Sequence, residues 1–262
     1  QNSPELNYIS AGSFPISQYL LPLFDGLSSN VVFIIERSAW WLHIIGILCF
    51  LNYLYYSKHL HILLAFPNTY FANLNAKGKF SNLKSVTNEV KMMLDPSIDP
   101  YSNASSVEVS KFGASDVFDL SKIQLLNAYT CTECGRCTSE CPANQTGKKL
   151  SPRKIMMDTR DRLTEVGKGI DAHGADFKDD KSLLDTYVSR EEIWACTTCN
   201  ACTDACPINL DPLNIIVELR RFAVMEEAQA AGSINSMFGN LENNGAPWKY
   251  APSDRFNWAS KE

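Results

Sequence analysis

Two stretches of this chain follow one cysteine pattern: CTECGRCTSECP at residues 131–142 and CTTCNACTDACP at residues 196–207. Each contains three cysteines at three-residue intervals, a fourth cysteine four positions later, and a proline directly after it. This spacing is typical of a loop that gives three thiolates to a cubane 4Fe–4S cluster, with the fourth thiolate at the start of the next segment. The stretches hold eight of the nine cysteines and predict two 4Fe–4S clusters, which indicates electron transfer.

The fourth cysteine of each stretch is predicted to serve the other cluster, because the motifs of two-cluster ferredoxins are interlocked in this way. The first cluster then takes Cys131, Cys134, Cys137 and Cys206, and the second takes Cys196, Cys199, Cys202 and Cys141. Zinc is the main alternative, but zinc ligands usually form two separated pairs rather than runs of three. Disulfides are disfavoured because cysteines three residues apart are poorly placed to pair with one another.

An apolar segment precedes the cysteine motifs, and its residues 38–57 include no Asp, Glu, Lys or Arg. About 20 helical residues span about 30 Å, the thickness of the hydrocarbon core of a bilayer. Tryptophans near one end and tyrosines near the other are typical of membrane interfaces. We therefore expect a spanning helix over about residues 38–58, with the buried helix of a soluble core as the alternative. Residues 16–35 are apolar but interrupted, which favours an interfacial helix or a loop returning to the membrane.

Charge and cysteine usage indicate the compartment. Lys58, Lys77 and Lys79 follow the apolar segment, and this bias places its C-terminal side in the cytoplasm. Eight free thiolates also need a reducing compartment. The formal net charge of −5 argues against nucleic acid as a partner. Cys49, in the apolar segment, is expected to be a buried small hydrophobic residue.

Two histidines of this region are candidate haem ligands. His43 and His61 lie eighteen positions apart, so a helix that persisted over five turns would place both on one face. The stretch WWLHIIGILCFLNYLYYSKHLHILLAFP, residues 40–67, resembles the final transmembrane helix of the nitrate reductase gamma-subunit type of cytochrome b. That resemblance implies that His43 and His61 are axial ligands of haem b. No histidine precedes Arg37, so the second ligands would come from an upstream segment or a partner subunit.

Capping signals predict the helices after the connector, which itself is expected to hold one short helix near residues 86–94. Ser121 should cap a helix over residues 122–128, and Ser151 followed by proline should start a helix that ends at residue 166 before Gly167. A mobile loop is expected over residues 168–182. Ser189 and Glu192 form a capping box before the second motif.

The last strong helix is predicted to start at Asp211-Pro212. Its expected buried stripe consists of Leu213, Ile216, Val217, Leu219, Phe222 and Val224.

The cysteine module, with its 54-residue helical gap between the motifs, resembles the alpha-helical ferredoxin of the small iron–sulfur subunit of heterodisulfide reductase. It also resembles the iron–sulfur subunits of glycolate or lactate oxidases. The expected fold class is mainly α: an N-terminal transmembrane helical segment followed by an alpha-helical ferredoxin domain with two 4Fe–4S clusters. The expected parts are a membrane segment over residues 1–66, a connector over 67–120, the dicluster domain over 121–228 and a docking tail over 229–262.

The tail resembles a segment that precedes a cysteine-rich CCG domain in fused relatives. The resemblance implies a CCG-domain oxidoreductase subunit as partner, with an electron-transfer flavoprotein as a further partner. Aromatic residues often dominate such interfaces, and those expected to dock are Trp248, Tyr250, Phe256 and Trp258.

The expected function is an electron-transfer subunit of a membrane-bound complex in the bacterial inner membrane, with its clusters on the cytoplasmic side. It would relay electrons between menaquinone or haem b and the CCG-domain partner. One rival is a quinone site of its own at Tyr56, Lys58 and His59, and another is an iron–sulfur sensor. Arg136 is expected to raise the potential of the first cluster, because the second loop contains no basic residue.

Overall fold

The computed structural model describes residues 15–76, 78–95 and 111–259, and the chain divides into two compact units at residue 60. Four parts of the sequence predictions lie outside the described residues: residues 1–14 of the membrane segment, Lys77 of the lysine bias, residues 96–110 of the connector and residues 260–262 of the tail. Each unit is described by itself below.

The first unit contains a 3-10 helix, Ser17–Phe24, and helix α1, Ser29–Leu54. Helix α1 has 26 residues, which is about 39 Å at 1.5 Å per residue, and none of its residues is buried. Among the described residues, it is the one helix long and apolar enough to cross a membrane. A helix with no buried residue is not the core helix of a soluble unit. The predicted apolar helix is thus present, and the buried-core alternative does not hold within this unit.

Helix α1 begins at Ser29, so the predicted start near residue 38 was wrong. The predicted separate element over residues 16–35 was wrong for residues 29–35, which belong to α1. The helix includes Glu36 and Arg37, whose side chains pair at 2.6 Å between Oε1 and Nη2. The Arg37 guanidinium also lies 5.8 Å from the ring centroids of Phe33 and Trp40. Because the two charges satisfy each other, they do not interrupt the helix.

The helix does not persist from His43 to His61. Helix α1 ends at Leu54 and helix α2 runs over Leu60–Tyr70, with a turn between them. In that turn the Ser57 hydroxyl donates to the Leu54 carbonyl oxygen at 3.0 Å, which satisfies a carbonyl that a continuing helix would have used. The premise of a common helical face for the two histidines was therefore wrong.

Cys49, predicted to be buried, is exposed on α1 because no other described element covers that helix in its unit.

The second unit is helical, which confirms the mainly α fold class. Its described part contains no strand, only an isolated bridge between Leu184 and Val188. The helices after α2 are α3 (Lys84–Leu94), α4 (Lys122–Thr130), α5 (Arg136–Ser139), α6 (Pro142–Gln145), α7 (Pro152–His173), α8 (Arg190–Ala195), α9 (Ala201–Asp204), α10 (Pro212–Arg221) and α11 (Gly232–Asn244).

Two halves of this unit repeat one plan. Each begins with a helix that has a serine N-cap, Ser121 for α4 and Ser189 for α8, as predicted, and both serines form capping boxes. A cysteine loop and a four-residue helix follow, and each half then reaches a long helix that has proline at its first position. Helix α4 packs on α7, α8 packs on α10, and the short helices α5 and α9 pack on each other. The two cysteine loops consequently meet where the halves join.

Helix α7 extends beyond its predicted end. It starts at Pro152 with Ser151 as N-cap, as predicted, but continues through Gly167 to His173 and stops at Gly174. Gly169 lies against the ring of Phe177, which would have to shift if a larger residue replaced the glycine. The prediction that Gly167 ends the helix was wrong, since a glycine weakens a helix by only about 1 kcal/mol and packing can compensate for it. The predicted loop over residues 168–182 accordingly begins only after the helix.

Helix α10 starts at Pro212, as predicted, with the Asp211 side chain accepting from the Asn214 N–H at 3.0 Å. The α-helix ends at Arg221 and a single π-helical turn, Phe222–Glu226, follows. Three residues of the predicted stripe are buried, Leu213, Ile216 and Leu219, and the other three are half-buried, Val217, Phe222 and Val224. Ile215, which the prediction did not include, is also buried. The extra residue per π turn rotates the later side chains away from the stripe.

Arg162 of α7 holds the loop after α7 against the segment before α4. It is 1% exposed, and its guanidinium contacts Asp116 at 2.7 and 3.0 Å and Asp179 with two contacts of 2.7 Å. It also donates to the Lys181 carbonyl oxygen at 2.8 Å. The hydrogen bonds from Arg162 hold the pKa of Asp179 below its ordinary value. One buried cation thus joins three segments that are distant in the chain.

The substitution Arg162→Met should lower the free energy of unfolding by about 3 kcal/mol, because Asp116 would remain buried without its cation. The control is Lys149→Ala, which removes an exposed pair with Glu191 and should leave the free energy of unfolding almost unchanged. Denaturant unfolding followed by circular dichroism measures both. Equal losses in the two variants would contradict the role assigned to Arg162.

Candidate metal centre

The first cysteine loop wraps through two left-handed residues. Cys131 follows α4 as its C-cap, and Glu133 and Gly135 then have φ of 58° and 82°. Left-handed backbone reverses the chain within a few residues, so that cysteines on either side of it face a common centre. Cys137 lies on α5, and Cys141 is the N-cap of α6, where Pro142 takes the first helical position.

The second loop follows the same path. Cys196 is the C-cap of α8, and Thr198 and Asn200 have φ of 57° and 63°, at the positions equivalent to Glu133 and Gly135. Asparagine tolerates the left-handed region better than most residues, which explains how this loop can do without a glycine. Both loops therefore have one backbone design with different side chains.

The structure brings the predicted sets of cysteines together crosswise. Burial raises the pKa of the Cys131 and Cys137 thiols, and the nearby Cys206 thiol raises the pKa of both further. Burial likewise raises the pKa of Cys196, and there the neighbour from the other motif is Cys141. Each loop thus has the fourth cysteine of the opposite motif beside it, as the interlocked scheme requires.

One pocket joins the two sets. Its wall includes the three loop cysteines of the first motif, Cys206, and also Cys202 of the second motif. Met156, Ile208, Leu210 and Pro212 contribute apolar surface to the same pocket. Cys141 and Cys202 are buried, whereas Cys134 and Cys199 are exposed. Each set therefore has a sheltered side toward the protein interior and one cysteine at the surface.

Backbone N–H groups point at several of the sulfurs. The Thr198 N–H donates to Cys196 Sγ at 3.4 Å, and the Leu210 N–H donates to Cys206 Sγ at 3.3 Å. The Glu133 N–H does the same for Cys131, the position equivalent to Cys196. Hydrogen bonds to sulfur favour the thiolate form that binds iron.

The cysteine sets fit a cluster better than zinc. Within the described residues, no three His, Cys, Asp or Glu side chains converge as the ligands of a single ion would. Zinc with bonds of about 2.3 Å to sulfur needs sulfurs roughly 3.8 Å apart. A cubane binds each thiolate through a different iron, so its four sulfurs are spaced more widely around a pocket. The four cysteines of the first predicted set line one sheltered pocket together with Cys202 of the second set, which matches that requirement.

The Cys206 segment is held by a buried amide network that the sequence did not reveal. Asn68 of α2 is 1% exposed and donates to the Ile208 carbonyl oxygen at 2.9 Å. Its side-chain oxygen accepts from Asn127 of α4 at 3.1 Å, and Asn127 in turn accepts from the Asp211 N–H at 2.9 Å. These bonds position the loop between Cys206 and α10. No local motif marks Asn68, because its partners lie 59 and 140 positions away.

A second residue that sequence patterns did not mark is Arg220 on α10. Its guanidinium donates to the Ile193 carbonyl oxygen at 2.6 and 2.9 Å and to the Cys196 carbonyl oxygen at 2.5 Å. It also lies 5.0 Å from the ring centroid of Trp194, and burial lowers its pKa. Its positive charge lowers the pKa of Cys196 against the larger effect of burial. The second loop therefore has a cation beside it, although none occurs in its own sequence.

Arg136, the cation expected to act on the first cluster, is exposed. Charges at the surface are screened by salt over about 10 Å, whereas a half-buried cation such as Arg220 is screened less. The first cluster was expected to have the higher reduction potential because the second cysteine loop contains no basic residue. Arg220 lies beside that second loop, so this reason no longer holds.

The four histidines lie on or beside helices outside the cysteine loops. His43 is exposed on α1, and His61 is half-buried on α2. His59 lies in the turn between the two helices with Tyr56 and Lys58, and its ring is 6.3 Å from that of Phe50. His173 ends α7 and stacks on Phe177 with ring centroids 5.7 Å apart.

Comparisons with known proteins agree with this site. Residues 130–210 match the 4Fe-4S dicluster domain family. The chain is 30% identical over 275 residues to the "Probable iron-sulfur-binding oxidoreductase FadF" of Bacillus subtilis, with 94% of this chain and 36% of that protein covered. It is 26% identical over 276 residues to the "EtfAB:quinone oxidoreductase" of Syntrophomonas wolfei, with 97% and 35% covered.

A third relative belongs to the ferredoxin/F(420)H(2)-dependent CoB-CoM heterodisulfide reductase of Methanosarcina acetivorans. It is 32% identical over 112 residues, which are 42% of this chain and 55% of that relative. The chain therefore contains a 4Fe–4S dicluster domain and is homologous to iron–sulfur subunits of heterodisulfide reductases and to FadF. It spans about a third of the length of the first two relatives.

The substitution Arg220→Gln should lower the midpoint potential of the second cluster by on the order of 50 mV, because a nearby cation stabilises the more negative reduced state. Arg220→Lys keeps the charge and should restore most of the potential. The matched control is Arg136→Gln at the exposed position. Redox titration followed by electron paramagnetic resonance measures all three, and a larger shift in the Arg136 variant would contradict this assignment.

Proposed function

We propose that this homologue of the heterodisulfide reductase iron–sulfur subunits is an electron-transfer subunit of a membrane-bound oxidoreductase complex. The observation that carries the proposal is the meeting of the two cysteine motifs, in which Cys206 lies beside Cys131 and Cys137, and Cys141 lies beside Cys196. Cys202 of one set lines the pocket of the other, so both centres lie in one small domain. Two redox centres so close together suit a relay of single electrons.

The residues that would hold the clusters are the two predicted sets. The first cluster would take Cys131, Cys134, Cys137 and Cys206, and the second would take Cys196, Cys199, Cys202 and Cys141. Bound clusters supply reversible one-electron reduction at potentials that hydrogen bonds and solvent exposure tune. The protein contributes N–H donors, buried apolar walls and Arg220. Cys134 and Cys199 are exposed, so they mark the edges where a redox partner would approach each centre.

The membrane part of the proposal rests on α1. Its length, its apolar composition and its lack of any buried residue suit a helix surrounded by lipid. Tyr53 near its end can take a position in the polar boundary of the bilayer, whereas Trp40 and Trp41 lie near the middle of this longer helix. Lys58 and Lys79 follow the helix, which favours a cytoplasmic position for the segment after it. We propose the bacterial inner membrane, with the iron–sulfur domain on the cytoplasmic side.

Haem b and menaquinone are the proposed redox partners inside the membrane. The stretch around α1 resembles the last helix of the nitrate reductase gamma-subunit type of cytochrome b. His43 is exposed on a face of α1 that also carries Ala39 and Gly46, whose small side chains leave room for a bulky group. His61, on α2, is the other proposed ligand, and each histidine would hold a separate haem whose second axial ligand comes from another segment or a partner subunit. The EtfAB:quinone oxidoreductase to which the chain is similar supports quinone as the membrane-side partner.

The proposed soluble partner is a CCG-domain oxidoreductase subunit, with an electron-transfer flavoprotein as a further partner. The tail after α11 carries aromatic side chains that are more than half exposed: Trp248 at 55%, Tyr250 at 64%, Phe256 at 73% and Trp258 at 78%. Large aromatic residues are costly to leave in water, and they are enriched in interface centres. This supports the tail as the docking element.

The substitution Cys206→Ser should remove or alter the first cluster and leave the second, whereas Cys141→Ser should do the reverse. Purified wild-type protein should contain about eight iron atoms per chain, as two 4Fe–4S clusters require. Electron paramagnetic resonance of the reduced variants identifies which signal is lost. If Cys206→Ser removed the signal that depends on Cys196, the interlocked scheme would be wrong. If the purified protein contained zinc instead of iron, the proposed function would be wrong.

Membranes that contain the full-length protein should show a haem b spectrum in the pyridine haemochrome assay. The variants His43→Ala and His61→Ala should each reduce that haem signal, because each loses an axial nitrogen, and should leave the iron content of the soluble domain unchanged. His173→Ala is the matched control, since His173 lies at the end of α7 beside Phe177. An unchanged haem signal in both variants would contradict the assigned ligands.

A further inference from the structure

Helix α2 has two faces with different surroundings. On one face Asn68 is buried and joins α2 to the dicluster domain, because it donates to the Ile208 carbonyl oxygen at 2.9 Å and accepts from Asn127 at 3.1 Å. The opposite face carries four apolar or aromatic side chains that are each more than half exposed: Ile62, Leu63, Phe66 and Tyr70. We call these four residues the outward face.

The outward face is one continuous stripe of the helix. Its members follow the spacing i, i+1, i+4 and i+8, which at about 100° per residue confines them to a sector about 100° wide. Asn68 lies on the other side of the helix from that sector. An exposed apolar stripe opposite an anchored polar residue is the pattern of a helix that lies between two different media.

The chain connects α2 closely to α1. Helix α1 ends at Leu54 and α2 begins at Leu60, so residues 55–59 alone separate them. Five extended residues span at most about 18 Å, and α2 must therefore begin near the membrane surface when α1 crosses the bilayer. Helix α2 has 11 residues and rises about 16 Å, which is too short to cross a hydrocarbon core of about 30 Å.

The charges around α2 favour lipid over a protein as the medium on the outward face. Residues 59–76 contain no Asp, Glu, Lys or Arg, and lysines stand at position 58 before them and at positions 77 and 79 after them. Lysines at both ends of an apolar segment suit anionic lipid head groups. Tyr70, with an apolar ring and a polar hydroxyl, suits the boundary between acyl chains and head groups.

Resting on the membrane part of the proposed function, we infer that α2 lies along the membrane surface with its outward face bound to phospholipid. The outward face enters the boundary between head groups and acyl chains, as amphipathic interfacial helices do. The Asn68 face holds the dicluster domain, and its bond to Ile208 reaches the segment after Cys206. A ligand of the proposed first cluster is thereby kept close to the membrane.

The test is photocrosslinking of the full-length protein, with its clusters bound, in vesicles of phosphatidylethanolamine and phosphatidylglycerol. The photoreactive residue is introduced as Phe66→p-benzoylphenylalanine, and mass spectrometry measures phospholipid adducts. The matched control is Phe118→p-benzoylphenylalanine, because Phe118 is also more than half exposed and lies in the same unit on the 3-10 helix Val117–Asp119. The adduct yield at position 66 should exceed that at position 118 by on the order of tenfold, since an interfacial helix keeps its apolar face in lipid.

Two further variants test whether the whole helix lies along the surface. Ile62→p-benzoylphenylalanine and Tyr70→p-benzoylphenylalanine place the probe near the two ends of the outward face, and both should give lipid adducts. None of the variants changes His61, which is half-buried and outside the outward face. The iron–sulfur signals in electron paramagnetic resonance check that each variant is folded.

Equal adduct yields at positions 66 and 118, or adducts at 66 mainly to another protein chain or a second copy, would overturn the inference and leave the proposed function intact. Release of the wild-type protein from the vesicles by alkaline carbonate would show that α1 does not span, and would overturn the inference together with the membrane part of the proposed function. A wild-type protein with lipid adducts at 66 but no iron–sulfur signal would overturn electron transfer and still support the lipid contact.

Discussion

The crosswise exchange of the fourth cysteines is the constraint on which the rest of the second unit depends. A motif that built its own cluster could fold as an independent loop. Here Cys206 stands beside Cys131 and Cys137, and Cys141 stands beside Cys196. Neither set is complete until the two halves are docked. The packing of α5 on α9 and the burial of Cys141 and Cys202 follow from this requirement.

Buried polar side chains hold the docked halves in place. Asn68 and Asn127 fix the segment that follows Cys206, and Arg162 ties the loop after α7 to Asp116 ahead of α4. Among the described residues, no buried side-chain nitrogen or oxygen lacks a hydrogen-bond partner. Satisfied polar networks of this kind are costly to rearrange, because each broken bond leaves a buried group unpaired. They therefore keep the cysteine sulfurs in a fixed geometry, which a centre of defined potential requires.

The two halves of the second unit have similar backbone conformations but different charged residues near their cysteines. Both loops use left-handed residues at the same two positions, and both long helices begin at a proline. The charged groups differ: Arg220 and Asp211 lie beside the second set, whereas Arg136 beside the first set is exposed. A duplicated scaffold can in this way hold two sites that are not equivalent.

Features that act over a few residues could be predicted from the chain alone. The cysteine spacing predicted which cysteines lie near one another, and Ser121, Ser151, Ser189 and Asp211 predicted helix starts, because a cap bonds an N–H only two or three residues away. Packing, in contrast, decided where α7 ends, where the helix after His43 breaks, and which charges stand beside each thiol. Arg220 reaches Cys196 from 24 positions away and Asn68 reaches Ile208 from 140 positions away. Such contacts depend on how helices pack, and side-chain packing across distant segments leaves no periodic signal in the chain.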